Sequence, residues 1–302
     1  MCGLFFGIVR FFYPYYNMGD KMKLKRTVFF LIILFVVLRT AGVRESIPVF
    51  NSSTGVKLPV LMYHSVSDNV SKTGKYVITP KAFEEDIKYL KNRGYNAVSV
   101  KQLIKYVYLG EDLPENPIVL TFDDGMYNNM EYVIPILEKY DYCAVFSIVG
   151  SYTDEYTENN IVNPDYSYLR WSDICAISEN PRIEFGNHSY SFHSISKKRY
   201  GTKKNRNESL LDYVNAFYQD TEKLQSEFFS NCNFKPVIYT YPFGSYSKES
   251  LRVLKKMGFL VTFSCFEGVN TITRDADCLF MLKRYNRDGR ISTQQFFSKL
   301  KL

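Results

Sequence analysis

The sequence predicts an α/β fold built on parallel strands, in one domain that covers residues 58–302. Two observations carry this prediction. Apolar, β-branched segments of strand length alternate along the chain with segments that carry helix signals, and such alternation is typical of parallel strands joined by crossover helices. The 302 residues are also enough for one large α/β domain or two small ones, and the sequence has no internal repeat and no sign of a second domain.

Strands are predicted where apolar runs end in turn-forming residues. The run Pro117–Phe122 is the clearest, because its apolar and β-branched residues suit a strand that is buried on both faces. The other predicted strands are Leu58–His64, Cys143–Val149, Arg182–Asn187, Pro236–Tyr241, Leu260–Cys265 and Leu282–Tyr285.

Helices are predicted from capping signals and periodicity. Thr79 is an N-cap followed by Pro80 at the first helical position, and the helix runs through Arg93 and ends at Gly94. Residues 152–168 are predicted to form a polar insertion, and residues 45–57 a polar linker. The other predicted helices are Ser99–Tyr108, Asn128–Tyr140, one that starts near Trp171, Glu208–Phe229, Lys248–Met257 and Ser292–Lys299.

Residues 1–44 differ from the rest of the chain in charge. They carry seven Lys or Arg and one Asp, a net charge of +6, and this leaves only +1 of the total of +7 for residues 45–302. A nearly neutral body argues against nucleic-acid binding, which needs a basic face on the folded domain. The basic residues come before the apolar run Val28–Leu38, an order typical of an export signal.

The apolar run has 11 residues, fewer than the ~20 that span a bilayer. Cleavage near the small residues 40–42 and an uncleaved membrane anchor both stay open. Residues 1–20 read as an extension, with Met18 or Met22 as alternative starts. Either way, the folded domain is expected to be exported, facing outward from the cell.

The six cysteines have no Cys-x-x-Cys spacing and no zinc-ribbon pattern. Cys143 and Cys265 fall in predicted core strands, where free buried thiols are expected. Disulfides are permitted outside the cytoplasm, but the sequence does not determine which cysteines pair.

The strongest chemical signal is an Asp pair with a distant His pair. Asp123 and Asp124 follow the strand Pro117–Phe122, and Gly125 allows a sharp turn there. His188 and His193 follow the predicted strand Arg182–Asn187. Because α/β proteins place their chemistry at the carboxyl ends of strands, these side chains can meet. One Asp with two His is a common ligand set for a catalytic metal, and the second Asp could take a proton from water.

Each half of this signal also has a plain structural interpretation. An Asp-Asp-Gly run at the end of a strand is often only a solvated turn, and a His pair in a loop is often on the surface. Five residues separate His188 from His193, so they share neither a helix face nor a strand face. They can converge only if the chain bends between them.

With these motifs the chain resembles the polysaccharide deacetylases of the NodB-homology family. The resemblance covers roughly residues 56–290. It rests on the motifs TFDDG at residues 121–125 and HSYSFH at 188–193, with PVLMYHS at 59–65 and YPFG at 241–244. The His motif is one residue longer than the common family form. This longer form is similar to that of the branch that acts on exported poly-N-acetylglucosamine. The resemblance implies a distorted (β/α)₇ barrel.

The resemblance also implies roles for individual residues. Asp123 would be the catalytic base, and a divalent metal, expected to be Zn²⁺, would be held by Asp124, His188 and His193. The backbone N–H of Phe243 would stabilise the oxyanion, although residues 241–244 could equally be an ordinary proline turn. The implied reaction is removal of N-acetyl groups from N-acetylglucosamine residues in a cell-surface or cell-wall polysaccharide.

The chain departs from the common family pattern in two places. The Arg that precedes the proline turn is absent from residues 238–240, and no histidine follows His193 to act as the late general acid. Arg284 or Arg170 could replace the missing Arg, although each is expected to be a surface charge. Low activity is expected if no other group protonates the departing amine.

His64 is the one histidine outside the expected ligand set. It ends the first predicted strand, at the sheet edge that also holds Asp123 and His188. With an ordinary pKa near ~6.5 it could protonate the leaving amine. The alternative is a structural histidine that hydrogen-bonds to Ser65 or Ser67.

Two other functions stay open at this level. One is a noncatalytic carbohydrate-binding or export-adaptor protein on the same scaffold, although a binder has no need of a base beside the metal. The other is a hydrolase of a small amide, against which only the aromatic content and the export signal argue.

Overall fold

Parallel strands form the centre of the computed structural model, which describes residues 55–196 and 199–300. The predicted signal or anchor segment, the alternative starts and nearly all of the predicted linker lie outside the described residues. In chain order the strands are β1 (Val56–Leu58), β2 (Val60–Tyr63), β3 (Ser65–Val66), β4 (Val77–Ile78), β5 (Asn96–Ala97), β6 (Pro117–Phe122), β7 (Ala144–Ile148), β8 (Ile183–Asn187), β9 (Ile238–Thr240), β10 (Val261–Phe263), β11 (Asn270–Ile272) and β12 (Tyr285–Asn286).

The helices lie mostly between these strands. In chain order they are α1 (Pro80–Asn92), α2 (Val100–Leu109), α3 (Ile134–Tyr140), α4 (Gly150–Glu158), α5 (Trp171–Ser178), α6 (Leu210–Cys232), α7 (Lys248–Lys256) and α8 (Thr293–Leu300). A π-helical turn, Asn129–Val133, leads into α3, and short 3₁₀ turns lie at Val70–Lys72, Pro242–Gly244 and Ala276–Leu279. No helix in the described ranges is both long and apolar enough to cross a membrane.

Seven strands pair in parallel in the order β10-β9-β8-β7-β6-β2-β12. The segment before β12 joins the two edges of this sheet, because Leu282 forms a parallel bridge with Phe263 of β10. Two hydrogen bonds support the bridge, from the Leu282 N–H to the Thr262 carbonyl at 2.8 Å and from the Ser264 N–H to the Leu282 carbonyl at 2.9 Å. The sheet therefore curls into a distorted barrel, and the predicted α/β fold is confirmed.

Local signals set most of the predicted boundaries. Strand β6 has the predicted limits and is buried along its whole length. The Thr79 side chain accepts a hydrogen bond from the Ala82 N–H and so caps α1, which has Pro80 at its start. Ser99 and Gln102 form a capping box at the start of α2. These helix starts follow from side-chain hydrogen bonds to free backbone N–H groups, which short sequence patterns encode.

Three predicted elements differ in the structure. Residues 150–158 form helix α4, where the sequence suggested the start of a polar insertion. The first predicted strand is divided at Pro59: β1 pairs antiparallel with β11, and β2 pairs with β6 in the barrel. The last predicted strand begins at Leu282, but its ladder with β2 is limited to Tyr285 and Asn286. For the two strand segments, the available pairing partners set the limits of the strands.

The cysteines also depart in part from the prediction. A disulfide bond joins Cys175 of α5 to Cys232, the last residue of α6, with their Cα atoms 5.0 Å apart. Cys143 and Cys265 are free, as predicted, but they lie just outside β7 and β10 and are only partly buried. Burial raises the pKa of the Cys143 thiol to about 12, so this thiol stays protonated at neutral pH.

Candidate metal centre and active site

A cavity of about 580 Å³ opens at the carboxyl ends of the barrel strands. Six side chains singled out in the sequence line it: His64, Asp123, Asp124, His188, His193 and Phe243. The parallel strands bring them together, because β2, β6, β8 and β9 all end at the same edge of the sheet. The topology therefore explains how residues that are far apart in sequence share one site.

A sharp turn after β6 directs Asp124 into the cavity. Both Asp124 and Gly125 adopt left-handed backbone conformations, with φ of 72° and 73°. Aspartate tolerates this region better than most residues. Glycine suits position 125, since a Cβ atom there would lie 2.9 Å from the Cδ1 atom of Ile148. The turn thus places two successive carboxylates in different surroundings.

Asp124, His188 and His193 converge closely. The Asp124 Oδ1 lies 3.5 Å from the His188 Nε2 and 3.1 Å from the His193 Nε2. One possible ligand atom from each of the three residues lies within 4.8 Å of the other two. This is the one group of this kind in residues 55–196 and 199–300, and it matches the three-ligand, open-position pattern of catalytic metal sites.

The hydrogen bonds of the two imidazoles show that the cluster fits a cation. The His188 Nδ1 lies 2.7 Å from the Thr240 carbonyl and must donate to it, so in the neutral ring the Nε2 carries a lone pair. The Tyr152 hydroxyl donates to the His193 carbonyl at 3.2 Å and can accept from the His193 Nδ1 at 3.3 Å. Two nitrogen lone pairs then face a carboxylate oxygen, and none of these three atoms can donate a hydrogen bond to another. A metal ion between the three atoms would satisfy all of them.

The electrostatic field at this cluster also favours positive charge. Burial lowers the pKa of His188, but hydrogen bonding to Asp124 and the charges of both carboxylates outweigh it, and the net pKa is raised. Burial raises the pKa of Asp124, but the two imidazoles outweigh it and hold the net pKa well below its ordinary value. The same field attracts a metal cation.

Asp123 has a different environment. Its side chain is 3% exposed, and both carboxylate oxygens accept hydrogen bonds from the guanidinium of Arg284, at 2.7 and 2.8 Å. Burial raises the pKa of Asp123, but Arg284 and then His188 outweigh it and the net pKa is lowered. Asp123 is therefore ionised at neutral pH, as a general base must be.

Arg284 corrects the sequence-based expectation of a surface charge. Its side chain is completely buried, and it also donates to the Ser264 carbonyl at 2.8 Å. The other candidate, Arg170, pairs instead with Asp173 at the start of α5. Since Arg284 lies in the segment that closes the barrel, its position depends on tertiary structure alone.

His64 lines the cavity, and its ring contacts that of Tyr76, with centroids 4.6 Å apart. The buried His64 Nδ1 has no hydrogen-bond partner in the part of the chain that the structure describes. The hydroxyls of Ser65 and Ser67, its partners in the structural alternative, instead accept from Asn128 and Asn69. Burial lowers the pKa of His64, although Asp123 and Asp124 oppose this.

Phe243 lies in the 3₁₀ turn after β9 with a left-handed backbone, φ 57°. The N–H groups of Gly244 and Ser245 donate to carbonyls within the turn. The Phe243 N–H donates to no backbone carbonyl outside the helices and strands of the described residues. The phenyl ring packs against the ring of His193, with centroids 4.5 Å apart.

Sequence reasoning missed three residues that hold the site together. Tyr152 and the Thr240 carbonyl orient the two imidazoles, and Asp220 binds the loop between them. The sequence placed Tyr152 in an insertion and Asp220 in a long helix, and neither has a local signal. Contacts of this kind become visible only once the helices are packed on the barrel.

Comparison with known proteins identifies the family. Residues 110–262, just over half of the chain, match the family profile of polysaccharide deacetylase. The chain therefore belongs to the polysaccharide deacetylase family, and the resemblance read from its motifs is confirmed.

Individual relatives agree with this assignment. The chain is similar to the poly-beta-1,6-N-acetyl-D-glucosamine N-deacetylase of Escherichia coli K12, at 25% identity over 69% of this chain and 34% of that protein. A protein of the same name from Staphylococcus aureus is 26% identical over 65% of this chain and 63% of its own length. The chain thus spans about a third of the first relative and less than two thirds of the second.

A solved structure shares the fold. The de-N-acetylase from Aggregatibacter actinomycetemcomitans superposes with a TM-score of 0.68 and 26% identity, covering 80% of this chain and all of that one. The predicted (β/α)₇ barrel is therefore confirmed.

Proposed function

We propose that the protein is an exported, metal-dependent hydrolase that removes N-acetyl groups from N-acetylglucosamine residues of a cell-surface or cell-wall polysaccharide. One observation carries the proposal: Asp124, His188 and His193 converge in the same cavity as an ionised, buried Asp123. The names of the relatives from Escherichia coli and Staphylococcus aureus support poly-β-1,6-N-acetylglucosamine as the polymer.

Asp124, His188 and His193 would hold the metal, and Zn²⁺ is proposed because it commonly binds imidazole and carboxylate ligands in a three-residue catalytic site. When bound, the ion lowers the pKa of water and polarises a carbonyl oxygen. The hydrogen bonds at the Nδ1 atoms of the imidazoles would keep their Nε2 atoms available to the ion. Such outer contacts set the orientation and basicity of metal ligands.

Asp123 would accept the proton of the water that attacks the acetyl carbon, while Arg284 holds its carboxylate in place. The N–H of Phe243 would donate to the acetamide oxygen as negative charge develops there. His64 would give a proton to the sugar nitrogen as the carbon–nitrogen bond breaks. The products are acetate and a free amino sugar, so one water is consumed for each acetyl group removed.

Export is proposed from the basic and apolar segments of residues 1–44. The Cys175–Cys232 disulfide supports it, because such bonds persist in oxidising compartments. We propose that the N-terminal segment serves as a signal peptide or as a tether to the membrane, so that the folded domain faces the polysaccharide outside the cell.

Acetate release tests the proposed activity. The purified protein is incubated with oligomers of β-1,6-linked N-acetylglucosamine, with chitin oligomers and with peptidoglycan, with and without a chelator. We expect release from the β-1,6-linked oligomers, loss of release with the chelator, and recovery when Zn²⁺ is added back. Binding of the oligomers without acetate release would favour a noncatalytic binder.

Asp124→Ala is the matching variant, since it removes one ligand and the negative charge that attracts the ion. We expect it to lose both bound metal, measured by elemental analysis, and acetate release. Asp277→Ala is the control, because the Asp277 side chain is 75% exposed and pairs with Lys255 at the surface. A fully active Asp124→Ala protein with bound metal would overturn the scheme.

A further inference from the structure

The loop between His188 and His193 has no regular secondary structure, yet it must direct both imidazoles to one point. Its first residue, Ser189, has a left-handed backbone with φ 70°, which costs roughly 1–2 kcal/mol for a residue other than glycine. The Asn187 side chain accepts a hydrogen bond from the Ser189 N–H at 2.9 Å and supports this turn. The bend that the ligand spacing requires is therefore a strained one, held by neighbouring groups.

Asp220 of helix α6 binds the middle of this loop. One carboxylate oxygen accepts from the Tyr190 N–H at 2.9 Å, and the other accepts from the N–H and the hydroxyl of Ser191, both at 2.8 Å. Asp220 is only 8% exposed, and all of its hydrogen-bond donors among the described residues belong to this loop. A buried carboxylate thus binds the four-residue segment 189–192, which separates two candidate metal ligands.

The opposite edge of the loop is held by helix α4. The N–H groups of Gly150 and Ser151, at the start of that helix, donate to the carbonyls of Ser189 and Tyr190 at 3.1 and 2.9 Å. The loop backbone is therefore bound on both edges, through its carbonyls by a helix N-terminus and through its N–H groups by Asp220. Only the second of these contacts depends on a side chain, so only it can be removed by one substitution.

We propose that Asp220 is a positioning residue for the metal centre: by fixing the 189–191 backbone, it sets the separation and direction of His188 and His193. The inference rests on the proposed metal-dependent function. Mutation of a group that orients a metal ligand without contacting the metal itself typically lowers metal affinity ~10–100-fold. Asp220 does so here through the backbone between the ligands.

Asp220→Asn tests the proposal with almost no change in shape. The amide oxygen can still accept from Tyr190, but the NH₂ group then faces the two donors of Ser191. We expect the Kd for Zn²⁺, measured on the metal-free full-length protein by competition with a chromophoric chelator, to rise at least tenfold. The visible absorption bands of the Co²⁺-loaded protein should also change in energy and intensity, because they report the geometry of the ligands.

Glu222→Gln, also on α6, is the matched control, since Glu222 pairs with Lys235 near the surface. Its Kd and Co²⁺ spectrum should equal those of the wild type. Ser191→Ala deletes one of the three hydrogen bonds and should raise the Kd several-fold, and it serves as the test if Asp220→Asn fails to fold. Metal is measured without substrate, so an inactive wild type that binds Zn²⁺ refutes the proposed activity and not this inference. Wild-type Kd and spectrum in a folded Asp220→Asn protein, or an unchanged Kd in Ser191→Ala, would overturn it.

Discussion

At the scale of single residues, two adjacent aspartates have different surroundings, and these suit the separate tasks proposed for them. Asp123 faces the guanidinium of Arg284, while Asp124 faces the two imidazoles. Both pKa values lie below the ordinary value despite burial, but through different partners: mainly the charge of Arg284 for Asp123, and hydrogen bonds with the two imidazoles for Asp124. Pairs of titratable groups in contrasting environments are how enzymes divide acid, base and ligand roles.

Arg284→Met should impair Asp123, the proposed base, while leaving the proposed metal ligands in place. Without the guanidinium, burial raises the pKa of Asp123 unopposed by its main partner, so the carboxylate is protonated up to a higher pH. The acid limb of kcat/KM should then move to higher pH, and the free energy of unfolding should fall by about 3–5 kcal/mol because a buried charge loses its partner. The pH profile and urea unfolding measure the two effects.

Arg284→Lys keeps the charge but loses the bidentate geometry, and should shift the acid limb less. Zn²⁺ content should stay unchanged in both variants. An acid limb at the wild-type pH in a folded Arg284→Met protein would show that Arg284 does not control the base.

His64→Gln should keep bound metal and lower kcat at least tenfold, a barrier change of about 1.4 kcal/mol. Burial lowers the pKa of His64, so its protonated form is lost as the pH rises through a value below ~6.5. If His64 is the acid, kcat/KM falls on the alkaline side of that value, and this limb disappears in the variant. Wild-type turnover in His64→Gln would leave the ring with a packing role only.

At the scale of elements, the site is assembled by loops and helix ends that the barrel strands position. Strands β6 and β8 deliver the Asp and His motifs, and helices α4 and α6 fix the His loop from two sides. A disulfide ties the end of α6 to α5. The helices around the barrel therefore fix the geometry of the candidate metal centre as well as covering the sheet.

Replacing both Cys175 and Cys232 by serine should lower the free energy of unfolding by about 2–4 kcal/mol, because the bond restricts the unfolded chain. Reductant should lower the Tm of the wild type but leave that of the double variant unchanged. Cys278→Ser is the control, since this thiol is free, and its Tm should still fall with reductant. Equal stability of the wild type and the double variant would show that the bond does not form.

At the scale of the whole molecule, one C-terminal segment closes the barrel and completes the site. Leu282 bridges to β10 and β12 pairs with β2, while Arg284 between them reaches Asp123. Three residues beyond Arg284, Arg287 binds Asp86 of helix α1 with hydrogen bonds of 2.7 and 3.1 Å. Both partners are buried, so closure depends on a buried ion pair.

Arg287→Met should cost about 3–5 kcal/mol of unfolding free energy, because Asp86 is left buried without its cation. Adding Asp86→Leu should restore part of this loss, since the double variant buries no unpaired charge. Urea unfolding of the two single variants and the double variant measures the coupling. Additive losses would show that the two residues stabilise the fold independently.

The sequence by itself determined the α/β alternation, most element boundaries and the set of candidate site residues, while the family resemblance supplied the assignment of Asp123 as base and Asp124 as ligand. Each of these rests on a contiguous pattern, such as a cap before a helix or an Asp pair after a buried strand. Only the tertiary structure decided that Arg284 holds Asp123, 161 positions away in sequence, that Asp220 holds the His loop, and that Cys175 pairs with Cys232. The physical reason is that backbone propensity and periodicity act over a few neighbouring residues, whereas a buried side chain takes its partner from whichever segments the closed barrel brings together.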